Sequence, residues 1–267
     1  MPQRNRDSIG NILIVAISVC LVCSILVSVA AVSLKPAQEA NRLQNQRQNI
    51  LVAVGLLESG QSSNAEGLGI DELFDQFDVR VVDLRTGDYA EDIDPGSFDQ
   101  LRSARDPERS RDLSEEEDIA TLRRRENYGI VYLMRDEAGD VEKTVLPVRG
   151  MGLWGTLYGY LAIEGDLLTA EGIAFYRHQE TPGLGGEVEN PRWRAQWEGL
   201  KLFDASGAPA VDLVKTRAPE GSEQRTHEID ALAGATLTSR GVENLVNFWL
   251  SDLGYGTYLQ KLRQGEA

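Results

Sequence analysis

Cysteine is nearly absent. The 267 residues contain two, Cys20 and Cys23. Disulfide staples and cysteine-ligated zinc or iron–sulfur centres are thereby excluded from the rest of the chain. Histidine is as scarce, with only His178 and His227, so a metal site there would have to be built from carboxylates, and none is expected. Basic charge is also short: 27 Lys+Arg face 42 Asp+Glu, for a net charge of −15. No basic stripe with interleaved aromatics offsets this, so nucleic acid is excluded as a partner. The common enzyme signatures are missing as well. There is no G-x-S-x-G elbow, no G-x-x-x-x-G-K-[ST] phosphate loop and no H-E-x-x-H. What is present is 42% hydrophobic residues with few low-complexity runs, enough for one or two domains with a real core. The acidic excess reads first as a solubility feature.

The charge is unevenly distributed. Only Arg4, Arg6, Asp7 and Lys35 are charged among the first 35 residues, which leaves a basic leader ahead of a strongly acidic body. Ile12 to Leu34 is an uninterrupted run of 23 apolar and small residues. At about 1.5 Å per residue this run spans roughly 35 Å, against about 30 Å of bilayer hydrocarbon. A cleaved signal peptide is the rival, since Ser28-Val29-Ala30 resembles a cleavage site, but such apolar regions are normally about 7–15 residues long. The run is therefore read as one uncleaved spanning helix. Cys20 and Cys23 sit in it at i and i+3 as small packing positions. Arg4 and Arg6 place the short N-terminus, residues 1–11, in the cytoplasm and the acidic body outside.

Beyond the span, residues 35–60 read as a juxtamembrane helix, with apolar Leu43, Ile50, Leu51, Val54 and Leu57 at helical spacing and Gly60 as its stop. Residues 61–267 form the body. Strand patterns cover Asp78 to Tyr89, Gly129 to Met134, Val141 to Val148, Thr156 to Ile163, Ile173 to Arg177 and Val211 to Lys215. The second and third of these pair as a hairpin across Ala138-Gly139-Asp140. The stretch EEEDIATLRRR, residues 115–125, puts acids first and bases last, as a surface helix favours. Asn190-Pro191 is a cap-plus-N1 pair for a short helix through Trp193 and Trp197. Ser239 caps a final helix whose apolar Val242, Leu245, Val246, Trp249, Leu250 and Leu253 share one face. The expected class is α+β: one N-terminal transmembrane helix, then twisted antiparallel sheets with flanking helices.

Two segments stand out chemically. One is HQETPGLGGE, residues 178–187, a turn rich in backbone N–H groups. The other is DALAGATLTS, residues 230–239, which brings Thr236, Thr238 and Ser239 to the positive end of a helix, where a phosphate is well held. The same residues also suit ordinary capping and a tight strand-to-helix turn.

The blocks GLWGTLYGY (152–160), FYRHQETPGLGGEVENPRWRAQW (175–197) and DALAGATLTSRGVENLV (230–246), behind a single N-terminal span, resemble the NqrC family, one of the subunits of bacterial Na⁺-translocating NADH:quinone reductases. The likeness covers essentially the whole chain. Its flavin-attachment pattern of Asp, two residues, Ser/Thr, Gly, Ala, Thr implies that Thr236 carries FMN through a phosphoester bond. Ala233 departs from that pattern, standing where Ser or Thr is usual. The resemblance also gives Asp230 a recognition role in flavin attachment. It makes Trp154, Leu184 and Leu237 candidates to pack the ring, and Glu180, Thr181, Pro182, Gly183 and Gly185 candidates for its polar edge. Lys215, Gly234, Ala235 and Thr238 fall beside the phosphate.

The implied function is an electron-relay subunit of a sodium-pumping NADH:quinone reductase, with no NADH site and no proton-transferring catalytic residue of its own. The implied partners are the other subunits, a flavin transferase and the lipid bilayer. The implied location is the bacterial inner membrane, single-pass, with the body on the periplasmic side. Two alternatives stand beside it: the G subunit of an Rnf-type ferredoxin:NAD⁺ oxidoreductase, and a cofactor-free membrane-anchored scaffold or sensor domain.

Overall fold

The computed structural model describes residues 9–266. Arg4 and Arg6, on which the expected orientation rests, lie outside the described residues. The chain divides into two units, with the boundary between Asn45 and Gln46.

The described residues of the first unit are helical. Helix α1, Ile9–Ala53, is long and apolar enough to cross a membrane, with a mean hydropathy of 3.0 over its most apolar stretch, none of it buried. It is one element where the sequence suggests two. Pro36 lies inside it without ending it; a proline there removes one backbone hydrogen bond rather than the helix. Nor does α1 run on to Gly60. It stops at Ala53, and Gly55 then takes the left-handed φ of 73°. Cys20 and Cys23 are exposed and form no disulfide.

The second unit is built on a five-stranded antiparallel sheet of order β1-β4-β5-β6-β7. Short helix α2, Ile70–Phe74, leads into β1, Phe77–Asp83. Helix α3, Gln100–Ser103, precedes the small antiparallel pair β2, Ser110–Asp112, and β3, Arg124–Glu126. The meander β4, Tyr128–Arg135, β5, Val141–Met151, β6, Thr156–Glu164, and β7, Ala170–Arg177, completes the main sheet. Helix α4, Pro191–Arg194, follows, with the Asn190 side chain accepting from the Arg192 N–H at 2.9 Å. Strands β8, Asp212–Val214, and β9, Glu228–Asp230, pair in parallel, ahead of α5, Thr236–Leu250, and α6, Gly256–Gln264.

Both faces of the main sheet are buried, because successive strand residues point to opposite sides. In β4, Val131 and Leu133 join one core with Leu146, Leu161, Trp197 and the α5 residues Val242, Leu245, Val246 and Trp249. Ile130, Tyr132 and Met134 join the other, with Ile50, Leu51, Val145 and Tyr160. The α5 layer is further tied down where Trp249 Nε1 donates to the Arg149 carbonyl at 2.7 Å and its ring lies under the Arg149 guanidinium. Arg149 in turn pairs with the fully buried Glu126.

Three local expectations change. EEEDIATLRRR is not a helix: the Asp118 carboxylate accepts from the Leu122 and Arg123 N–H groups at 2.6 and 2.7 Å, folding the segment into a turn that delivers Arg124 and Arg125 to β3. Aspartate competes with helix formation in this way. The strand expected at Val211 to Lys215 shortens to Asp212–Val214, and its partner β9 is too short to carry a pattern of its own. Helix α5 starts at Thr236, not after Ser239. Ser239 bonds backwards, its hydroxyl accepting from the Leu232 N–H at 2.9 Å and donating to the Ala235 carbonyl at 3.1 Å.

Candidate functional site at the N-terminus of the long C-terminal helix

The first turn of α5 is the centre of the site. Ala235 precedes it without a side-chain cap, so the turn's N–H groups are left to other partners. Gly234 supplies the left-handed φ of 74° that lets the chain turn into the helix. Thr236 is exposed and opens a small cleft shared with Lys215, Arg240 and Glu243 over Leu213 and Ala231. Side chains of α5 staple the cleft's other wall. The Glu243 carboxylate accepts from the Leu213 N–H at 3.0 Å, and Asn247 accepts from the Val211 N–H and donates to its carbonyl at 3.1 and 2.8 Å. This brings Lys215, just past β8, beside the helix. Burial pushes the Glu243 carboxyl above the usual carboxylate range.

On the opposite side of the same turn, Thr238 is fully buried and its hydroxyl donates to Glu180 Oε2 at 2.5 Å. Glu180 is itself only 5% exposed, and its Oε1 accepts from the Trp154 backbone N–H at 2.9 Å. Its own N–H donates to His178 Nδ1 at 3.1 Å. The carboxylate is packed so closely that a Cβ on Gly152 would stand 2.5 Å from Oε1, and one on Gly185 would stand 2.6 Å from Oε2. Side chains at either position would displace it.

Around this buried carboxylate the surface is apolar. Trp154, Leu184 and Leu237 are 63%, 44% and 55% exposed, unusual for large hydrophobics outside α1. Leu184 lies against Gly234, whose Cβ would sit 3.1 Å from its Cδ2. Exposed apolar side chains gathered beside a polar cleft are the makings of a site for a planar ligand with a charged tail.

The structure thus brings Trp154, Glu180, Leu184, Gly185, Gly234, Ala235, Thr236, Leu237 and Thr238 to one helix turn, with Lys215 beside it. Thr181, Pro182 and Gly183 form the exposed outer bend of their turn, where the Thr181 carbonyl accepts from the Leu184 and Gly186 N–H groups. Asp230 faces elsewhere. Its carboxylate accepts from Arg217 Nε at 3.0 Å and its carbonyl from Trp193 Nε1 at 2.8 Å. Among the described residues no cluster of metal-ligating side chains occurs. Arg240 and Glu243 are missed by a helix that begins after Ser239; with Thr236 as its first residue, Arg240 falls at i+4 on the same face.

The chain matches the family model of the FMN-binding domain over residues 152–251. It is 48% identical over 264 residues to the NqrC of the Na⁺-translocating NADH-quinone reductase of Pseudomonas aeruginosa, covering 98% of this chain and 99% of that protein. It is 44% identical to its counterpart in Yersinia pestis, covering 98% and 96%. The crystal structure of Shewanella oneidensis NqrC superposes with a TM-score of 0.73 at 34% identity, over 85% of this chain and 99% of that one. With identity of this order along nearly its whole length, the chain belongs to the NqrC family, subunits of the Na⁺-translocating NADH-quinone reductase enzyme complex, and carries that family's FMN-binding domain.

Proposed function

We propose that this subunit relays electrons through a single FMN held covalently on Thr236. One observation carries the reading: Thr236 is an exposed hydroxyl at the first position of a long helix, in a cleft that also holds Lys215 and Arg240. The residues suit the group at both ends. Free helix N–H groups and two cations match a phosphodiester anion. Trp154, Leu184 and Leu237 offer exposed apolar surface to a flat ring. FMN supplies one- and two-electron chemistry that no side chain here provides.

Attachment is a transfer reaction. Thr236 Oγ forms a bond to the FMN phosphorus of FAD and loses its proton to base. The phosphoanhydride bond breaks, and AMP leaves with the bonding electron pair. A flavin transferase catalyses the exchange. Asp230, tied to Arg217 and outside the cleft, serves as a recognition residue for that enzyme rather than as a ligand of the product. Ala233 supplies no hydroxyl, so Lys215 and Arg240 carry the phosphate's charge. The tether has a purpose in a domain outside the cytoplasm, because it replaces a ligand lost by dilution with one held at high effective concentration.

The relay accepts electrons from NADH oxidised on another subunit and delivers them toward quinone, while the complex moves Na⁺. Helix α1 anchors the chain in the bacterial inner membrane, with the body on the periplasmic side. The deciding experiment co-expresses the chain with a flavin transferase and illuminates a denaturing gel. A fluorescent band, with one FMN on the Thr236 peptide by mass and none in Thr236→Val, is the expected result. A dark band, or flavin found on Thr238, overturns the reading.

A further inference from the structure

We infer that Glu180 is the positioning residue of this site: its buried carboxylate ties the Trp154 loop to the first turn of α5 and so sets the Trp154 ring against the flavin. The inference rests on the reading that Thr236 carries the flavin. Three segments far apart in sequence meet at this one side chain. Oε1 accepts from the Trp154 N–H at 2.9 Å, in the loop joining β5 to β6. Oε2 accepts from the Thr238 hydroxyl at 2.5 Å, in the first turn of α5. The third segment, the turn that carries Glu180 itself, is held by its N–H to His178 and packs Leu184 on Gly234.

The two oxygens therefore have internal donors, and at 5% exposure the group faces inward rather than toward a ligand's polar edge. A carboxylate suits the post because it presents acceptors in two directions and no donor. Buried carboxylates are costly unless hydrogen-bonded, and this one has its partners at hand. The absence of side chains at Gly152 and Gly185 belongs to the same device, since a Cβ at Gly152 would crowd Oε1 and one at Gly185 would crowd both Oε2 and the Thr238 hydroxyl that donates to it. Trp154 needs such a clamp. The residue is 63% exposed, so it holds its place through the backbone of its loop rather than by burial.

The test uses the full chain in detergent. In protein without flavin, hydrogen exchange at the Trp154 amide is compared with that at Leu157 and Ala162 in β6, as controls for global unfolding. Glu180→Ala is expected to speed Trp154 exchange about tenfold or more, the size of a lost hydrogen bond to a charged acceptor, with the β6 amides unchanged. Glu180→Gln keeps one acceptor and is expected to restore most of the protection. Equal Trp154 exchange in wild type and Glu180→Ala overturns the inference, and does so whether or not Thr236 carries flavin.

In loaded protein, an indole against the ring quenches flavin emission. Emission is expected to rise in Glu180→Ala and Trp154→Leu and to return toward wild type in Glu180→Gln. Unchanged emission in Glu180→Ala overturns the inference, whereas an unlabelled wild type counts against the attachment reading instead. Should Glu180→Ala not fold, Thr238→Val carries the test. It leaves Trp154 tied to Glu180 but unties both from α5, so emission rises while the Trp154 amide stays protected; unchanged emission again overturns the inference.

Discussion

Thr236 and Thr238 stand two residues apart on the same turn of α5, yet their surroundings are opposite. Thr236 is exposed in a cleft with Lys215 and Arg240, whereas Thr238 is fully buried with its hydroxyl on Glu180. A helix rotates about 100° per residue, so a two-residue step crosses the axis. One side of the turn is therefore free for chemistry and the other belongs to the fold. Chemical identity cannot separate two threonines. Their positions relative to the sheet can.

Changes on the two sides are expected to diverge. The largest effect is Thr236→Val, which abolishes covalent flavin while shifting stability by no more than about 0.5 kcal/mol, as surface changes do; gel fluorescence and thermal unfolding measure the two halves. A core change on the same helix does the reverse. Trp249→Ala removes a fully buried ring and its hydrogen bond to the Arg149 carbonyl. It is expected to cost about 3–5 kcal/mol in denaturant unfolding, while any protein that remains folded still accepts flavin on Thr236.

Thr238→Val is intermediate. It strips Glu180 Oε2 of its donor and is expected to cost about 1–3 kcal/mol, read in the same unfolding experiment, with labelling of Thr236 retained. If Thr238→Val abolished labelling and left stability untouched, the division between the two sides would be wrong.

The smallest effect is pH-dependent and concerns Glu243 at the cleft's edge. Burial raises its folded-state carboxyl above the unfolded value, so the folded state binds the proton more tightly. Its contribution to stability is then fully present below the ordinary carboxylate range and is lost as pH rises through the raised folded value. Glu243→Gln is expected to be relatively more stable at neutral pH than in acid, seen as a difference in melting temperature that grows with pH. A constant difference across that range would place Glu243 in a more open setting than its contacts indicate.

How much of this is legible in the sequence depends on how local the cause is. The strands β1 and β4 to β7 are readable from alternation and Gly-punctuated turns, since each strand's pattern is written in its own residues. The start of α5 is not. A serine before an apolar run reads as a cap, but here Ser239 reaches back to Leu232 and the helix begins three residues earlier without a side-chain cap. EEEDIATLRRR misleads for a related reason. Its charge order suits a helix dipole, yet Asp118 takes the backbone donors that a helix needs, and Arg125 is drawn into a buried strand position. The β8–β9 pairing joins two three-residue strands in parallel, which no local pattern announces.

Family membership, the apolar anchor and the candidate acceptor Thr236 are already implied by the sequence, because they rest on contiguous motifs and on composition. Which residues serve the acceptor is decided by tertiary structure alone. Glu180 and Thr238 lie 58 positions apart, and Trp154 is 26 positions from Glu180. Only the closing of the sheet under α5 brings a turn, a hairpin loop and a helix end together. The reach of a side chain is a few ångströms, so contacts of that kind exist only once the backbone has folded.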